Sequence, residues 1–164
     1  MSEMINRQKA ITSMFHGVLF AYQKGISNMT TKNATFLVDS YMIPYLDKAF
    51  RGPFLSTIMK GNAFDTLNSL GDFLTEAGMV KNYHVSRREE GFDFVIDGCS
   101  MSDPVHKMLM PKDVVCPLGL VARYLVEKST GFEVIKELTE FTEHGSRTGI
   151  DIGNKVSHLD TAIK

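Results

Sequence analysis

Cysteine is scarce in this sequence: Cys99 and Cys116 are the only two in 164 residues. A chain of that length can close a complete hydrophobic core without covalent staples, so a disulfide scaffold is not needed. The two thiols read as reduced, either packed as small hydrophobes or used as ligands. An excess of charge of either sign is missing as well. The formal net charge is −1, and the one dense charged run, Arg87-Arg88-Glu89-Glu90, cancels itself. That excludes the basic stripe a phosphate backbone demands, and with it nucleic acid as a partner. Long apolar runs are absent too. The most apolar early stretch, Met14 to Tyr22, falls short of the roughly 20 residues a bilayer span requires, and no small-residue cleavage site follows it. The reading is therefore a cytoplasmic protein with no membrane span. Tryptophan is also missing, and there is no G-x-G-x-x-G, P-loop, G-x-S-x-G or H-E-x-x-H motif, so nucleotide, esterase and zincin chemistries lose their usual support.

What is present is periodicity. Between Ile5 and Lys24, apolar residues recur at Ile11, Met14, Phe15, Val18, Leu19 and Tyr22, the spacing of an amphipathic helix, and Gly25 offers a stop. Thr31 can cap a second helix through Phe36, Leu37, Tyr41 and Met42, with Pro44 ending or kinking it before Tyr45, Leu46 and Phe50. Gly52-Pro53 is a break, followed by a short apolar piece around Phe54 to Met59. Gly61 and Asn62 introduce a third helix carrying Phe64, Leu67, Leu70, Phe73 and Leu74, closed by Gly78.

The period then changes to two. Val80, Tyr83 and Val85 lead to Arg87, and after Glu90-Gly91 come Phe92, Phe94 and Ile96 alternating with polar Asp93 and Asp97, which predicts a hairpin. Asp97 to Pro117 is irregular and holds three of the five prolines, with a short helical turn from Pro104 to Leu109 at most. Pro117 at a first helical position opens a helix through Leu118, Leu120, Val121, Tyr124 and Leu125 that ends near Ser129-Thr130-Gly131. Val134, Leu138 and Phe141 suggest a strand, Glu143 to Ser146 a turn, and Ile150-Asp151-Ile152 a returning strand. The tail after Gly153 has few apolar residues. This order predicts a single α+β domain over 1–164, with a helical N-terminal half and an antiparallel sheet that has its helices on one side.

The chemistry-bearing residues gather in the irregular stretch. Cys99 follows a strand, His106 sits on the short turn, and Cys116 precedes a helix, so all three occupy segment ends where side chains can converge. Zinc or iron accepts two thiolates and an imidazole, and a helix N-terminus favours the thiolate a metal needs. Three ligands leave a fourth position open, as in catalytic or sensing sites. The spacings match no compact structural zinc signature, however. The competing readings are that the cysteines pack as hydrophobes beside a hydrogen-bonded loop histidine, or that Cys116 is a nucleophile with His106 as its base. His144 is a further candidate. Met101, Met108 and Met110 flank the same loop, and their flexible thioethers suit an adaptable apolar pocket as well as plain core filling.

From Phe92 to Gly131 the chain reads Phe-Val-Ile-Asp-Gly-Cys, then Val-His, then Asp-Val-Val-Cys-Pro-Leu-Gly-Leu-Val-Ala and Glu-Lys-Ser-Thr-Gly. In these motifs and in its element order it resembles the archaeal branch of the 4-vinyl reductase, or hydrocarbon-binding, domains. That family shares its α+β fold with transport-particle subunits and haem nitric-oxide-binding domains. The resemblance implies a small-molecule-binding or sensing domain, often dimeric through its N-terminal helices, with cysteine and histidine positions suspected of binding metal. The chain departs from relatives that carry further cysteines near the C-terminus, which weakens any four-cysteine site. The combined expectation is a homodimer that binds a small apolar ligand beside zinc held by Cys99, His106 and Cys116. The rivals are a metal- or cysteine-dependent enzyme and a non-catalytic assembly subunit.

Overall fold

A computed structural model of the chain describes residues 19, 22, 42–50, 53–102, 106 and 116–155. In chain order these form α1 (Ile43–Ala49), α2 (Pro53–Ile58), α3 (Ala63–Glu76), β1 (Asn82–Arg88), β2 (Gly91–Asp97), α4 (Pro117–Thr130), β3 (Phe132–Phe141) and β4 (Gly145–Lys155). The expected helix from Ile5 to Lys24 lies outside the described residues except for Leu19 and Tyr22, both helical and exposed. Pro44 falls in the first turn of α1, where its missing N–H has no intrahelical partner to lose, so Tyr45 and Leu46 continue the helix.

The α3 helix starts where its sequence dictates. Asn62 takes an extended backbone, and its side-chain oxygen accepts the Asp65 amide at 3.0 Å, which satisfies one of the first turn's unpaired N–H groups. Ala63, Thr66, Leu67, Leu70, Gly71 and Leu74 then recur on one buried face. Next, β1 and β2 pair antiparallel with Arg88 opposite Gly91, so the connecting turn is Glu89-Glu90. The sheet order is β1-β2-β4-β3, antiparallel throughout. Alternation sends Val85, Phe94, Ile96 and Ile150 to the inner face, where α3 packs on β1 and β2 and α4 packs on β3 and β4. The expected α+β class, an antiparallel sheet with helices on one side, is the architecture found.

The α4 helix is the centre of the core. Leu118, Leu120, Ala122, Tyr124, Leu125 and Val126 are all buried on it, so it is enclosed on nearly every side, and each large side chain contributes about 1.5 to 3 kcal/mol by leaving water. The buried Arg123 is met by Glu127 at 3.2 Å, and the same Glu127 oxygen accepts the Val134 amide at 3.3 Å, which ties the helix to β3 near its bulges. Asp47 of α1 accepts the Tyr124 hydroxyl at 3.1 Å and pairs with Lys128, docking this short helix on α4. Gly131 ends α4 in the left-handed conformation, φ 68°, that glycine adopts without strain.

The outer face of the sheet carries a charged network beside the exposed Leu138. Arg88 does not spend itself on its neighbours Glu89 and Glu90. It crosses to Asp93 at 2.9 Å and to Asp151, while Arg147 reaches the other Asp93 oxygen at 2.7 Å. Asp93, which alternation alone assigns to solvent, is therefore buried beneath two guanidinium groups. Among the described residues no helix is long and apolar enough to cross a membrane.

Candidate thiol and imidazole site

The tight hairpin that joins β3 to β4 is closed by the Thr142 amide donating to the Gly145 carbonyl at 2.9 Å. The three residues singled out above all rest on it. The Cys99 amide donates to the His144 carbonyl at 2.8 Å. The His106 Nδ1 lies 3.0 Å from the Thr142 carbonyl, and its ring meets Phe141 edge-on at 5.2 Å between centroids. The Ser146 hydroxyl donates to Cys116 Sγ at 3.5 Å. Residues 17 positions apart in sequence thus converge on the six-residue stretch Phe141–Ser146. All three are buried, at 6%, 6% and 3% exposure for Cys99, His106 and Cys116.

Local sequence explains each position. Asp97 pairs with Gly145 at the end of β2, so the chain two residues on is delivered beside the hairpin turn. Ser102 then closes a turn, its amide and hydroxyl both donating to the Cys99 carbonyl at 3.1 and 2.8 Å, and the His106 amide returns to the Ser102 carbonyl at 2.8 Å. Cys116 is the N-cap residue of α4, with Pro117 in the first turn. The start of α4 lies close over β4, because Gly119 carries no Cβ to meet Thr148, whose hydroxyl is paired with that of Thr139 at 3.1 Å. Ser146, Thr148 and Thr139 thereby form a buried hydroxyl row beneath the thiol of Cys116.

The electrostatics favour a neutral Cys99 thiol in this arrangement. Burial pushes the Cys99 thiol up to about 11, a contact with the Met101 backbone opposes the rise, and the charge of Cys116 adds to it. Neither cysteine is in a disulfide. The His106 Nδ1–H donates to the Thr142 backbone carbonyl, an orientation in which the neutral form of the ring would present Nε2 as the lone-pair nitrogen, the ring atom a metal takes. The donor set of two sulfurs and one imidazole suits zinc in kind. Among the described residues, however, no three His, Cys, Asp or Glu side chains stand together as a group that could hold a metal ion.

The remaining candidates are placed as follows. Met101 is buried beside Cys99 in the core, whereas Met108 and Met110 lie outside the described residues. His144 lends its carbonyl to Cys99 but turns its side chain to solvent, 4.0 Å from Glu143. Two hollows are lined by described residues. One, of about 390 Å³, runs beside α3 between Lys60, Asp65, Asp72 and Phe73, and the other, of about 180 Å³, lies on the outer sheet face at Arg88, Asp93 and Arg147. Neither borders the thiols. Sequence reasoning missed Thr142, Ser146 and Thr148. The available signal was that Ser146, Thr148 and Ile150 share one face of a period-two strand, so two hydroxyls had to sit on the core side. Comparison with protein-family models, curated proteins and solved structures returns no match.

Proposed function

We propose that the chain is a small-molecule-binding or sensing module of the 4-vinyl reductase type, whose site is the cluster of Cys99, His106 and Cys116 at the β3–β4 turn. The observation that carries this reading is the convergence of the three residues on Phe141–Ser146. Zinc is the metal proposed, with Cys99, His106 and Cys116 as its ligands. When bound it would supply a Lewis-acidic centre with an open fourth position. Binding requires the three side chains to be drawn closer than they stand here. Met101, Met108 and Met110 would wall an apolar ligand, and the two reduced thiols suit a cytoplasmic setting. The exposed Leu19, Tyr22 and Tyr45 support a homodimer formed through the N-terminal half.

The test is metal stoichiometry of wild type, Cys99→Ser, His106→Ala, Cys116→Ser and His144→Ala proteins, purified side by side without chelator. About one zinc per chain in wild type and in His144→Ala, lost in the other three, is the expected result. A metal-free wild type, or variants that all retain metal, removes the zinc site. A second reading is favoured by the Cys99 thiol, held neutral by its burial: a metal-free assembly subunit in which the cysteines only pack. It gives zero metal throughout, and Cys116→Ser would then cost about 1 to 3 kcal/mol of stability through a poorly paired hydroxyl.

A further inference from the structure

The sheet has two edges, and they differ. The β1 edge exposes polar and charged residues, Asn82, His84, Arg87 and Arg88. The β3 edge carries exposed Phe132, Ile135 and Leu138, Ile135 most of all at 64%, and among the described residues no strand lies beyond it. Bulges interrupt β3 between Phe132 and Lys136, but from Lys136 to Phe141 its register with β4 is regular. The Thr142 amide donates to the Gly145 carbonyl, so the alternation of an antiparallel ladder turns the backbone groups of Leu138 and Glu140 to β4 and those of Glu137, Thr139 and Phe141 out to the edge. Outward backbone donors and acceptors beside exposed apolar side chains make a template for another strand.

We propose that β3 is a self-association edge: two copies of the chain join antiparallel across it about a two-fold axis at Leu138, so that one sheet continues into the next. The charge order of the strand selects a second copy as the occupant. The sequence reads Lys136-Glu137-Leu138-Thr139-Glu140, so a pair centred on Leu138 sets that leucine against its own counterpart and Lys136 opposite Glu140 on both sides of the axis. In the same register Glu137 of each copy exchanges backbone hydrogen bonds with Thr139 of the other, and these are residues whose backbone groups face out. Moving the axis by one residue sets Leu138 opposite Glu140 or Lys136 and loses both matches. Glu140 is exposed, and the neighbouring Arg147 is already held by Asp93. Leu138 falls in a non-hydrogen-bonded pair of the new ladder, the kind that brings side chains closest. This edge uses no residue of the N-terminal half proposed above as a dimer surface, and it does not rest on zinc.

The experiment uses the full chain with Leu138→Cys and a short bismaleimide, which bridges two thiols that meet across the axis. A covalent dimer on a denaturing gel is expected from this variant. None is expected from wild type, whose cysteines are buried, or from Glu89→Cys in the β1–β2 turn. Cross-linking reports this edge whatever the N-terminal half does to the total mass, so the two association surfaces fail separately. Added to Leu138→Cys, either Lys136→Glu or Glu140→Lys sets like charges opposite each other on both sides of the axis, and each should lower the yield about tenfold. Mixing these two charge variants in equal amounts restores the yield, because each then offers the other its opposite charge. An edge that serves a different protein's strand would gain nothing from the mixture. The proposal is overturned if Leu138→Cys gives no more dimer than Glu89→Cys, if the charge variants cross-link as well as their parent, or if the mixture stays as low as its components. Should a charge variant fail to fold, the comparison of Leu138→Cys with Glu89→Cys decides.

Discussion

Gly119 in the first turn of α4 rests on Thr148 of β4, whose Oγ1 lies only 2.4 Å from where a Gly119 Cβ would stand. The Thr148 hydroxyl is paired with Thr139 inside the core and cannot swing away without breaking that bond. This contact sets how near the N-cap residue Cys116 comes to Ser146.

Gly119→Ala should therefore destabilise the fold although alanine is the better helix former. Overpacking costs about 1 to 3 kcal/mol, against at most the roughly 1 kcal/mol that replacing a glycine in a helix interior returns, and less in the first turn where Gly119 stands. Thr148→Ala clears the space, so the double variant should lose less stability than the sum of the two single changes. Urea denaturation midpoints measure this. An additive double variant, or a stabilised Gly119→Ala, would show that α4 does not depend on the close approach.

The thiol of Cys99 and the hydroxyl of Tyr83 should both make the fold alkali-sensitive. Burial raises Cys99 to about 11, and burial, followed by the hydrogen bond and charge of Asp72, raises Tyr83 to about 12. In each case the unfolded chain releases its proton at lower pH than the folded chain does. The stability these groups contribute is thus complete below about pH 9 and is lost as pH rises towards 11 and 12. Denaturant midpoints measured from pH 8 to pH 11 should fall, and Cys99→Ala should flatten the portion between about pH 9 and 11. A midpoint that stays level over that range in wild type contradicts the burial argument.

Much of this arrangement is readable from period and punctuation. Asn62, Gly78, Pro117 and Gly131 bracket α3 and α4, and the alternation through Val85, Phe94 and Ile96 marks the hairpin with its inner face. These signals are local, which is why they survive without a structure. The pairing of β2 with β4 is not local: it requires the chain to cross the sheet through α4, and nothing in either strand's own residues names its neighbour. The site follows the same division. Cys99, His106 and Cys116 stand out by residue type, but their shared footing on Thr142, His144 and Ser146 is a product of the hairpin register. The charged run at Arg87–Glu90 misleads for a related reason: a strand side chain meets its partners across the sheet at about 5 Å and not along the chain.

That cross-strand lattice supplies the last expectation. Asp93 is the shared acceptor of Arg88 and Arg147, and its side chain is 8% exposed, against 55% for Arg147. Removing the Asp93 charge leaves Arg88 and Arg147 facing a weaker acceptor on a face where water reaches the carboxamide poorly. Asp93→Asn should cost about 1.5 to 3 kcal/mol, the value of hydrogen bonds to a charged group. The half-exposed Arg147 can be replaced by water at Asp93, and Arg88 still satisfies the carboxylate, so Arg147→Gln should cost clearly less than Asp93→Asn. The two variants also differ in their response to salt. The Arg147 contribution is screened between low salt and 1 M sodium chloride, whereas the Asp93 deficit persists because its partner oxygens are enclosed. Thermal and urea unfolding at the two salt concentrations test both statements. An Arg147→Gln protein less stable than Asp93→Asn would mean that the surface guanidinium, and not the buried carboxylate, organises the outer face.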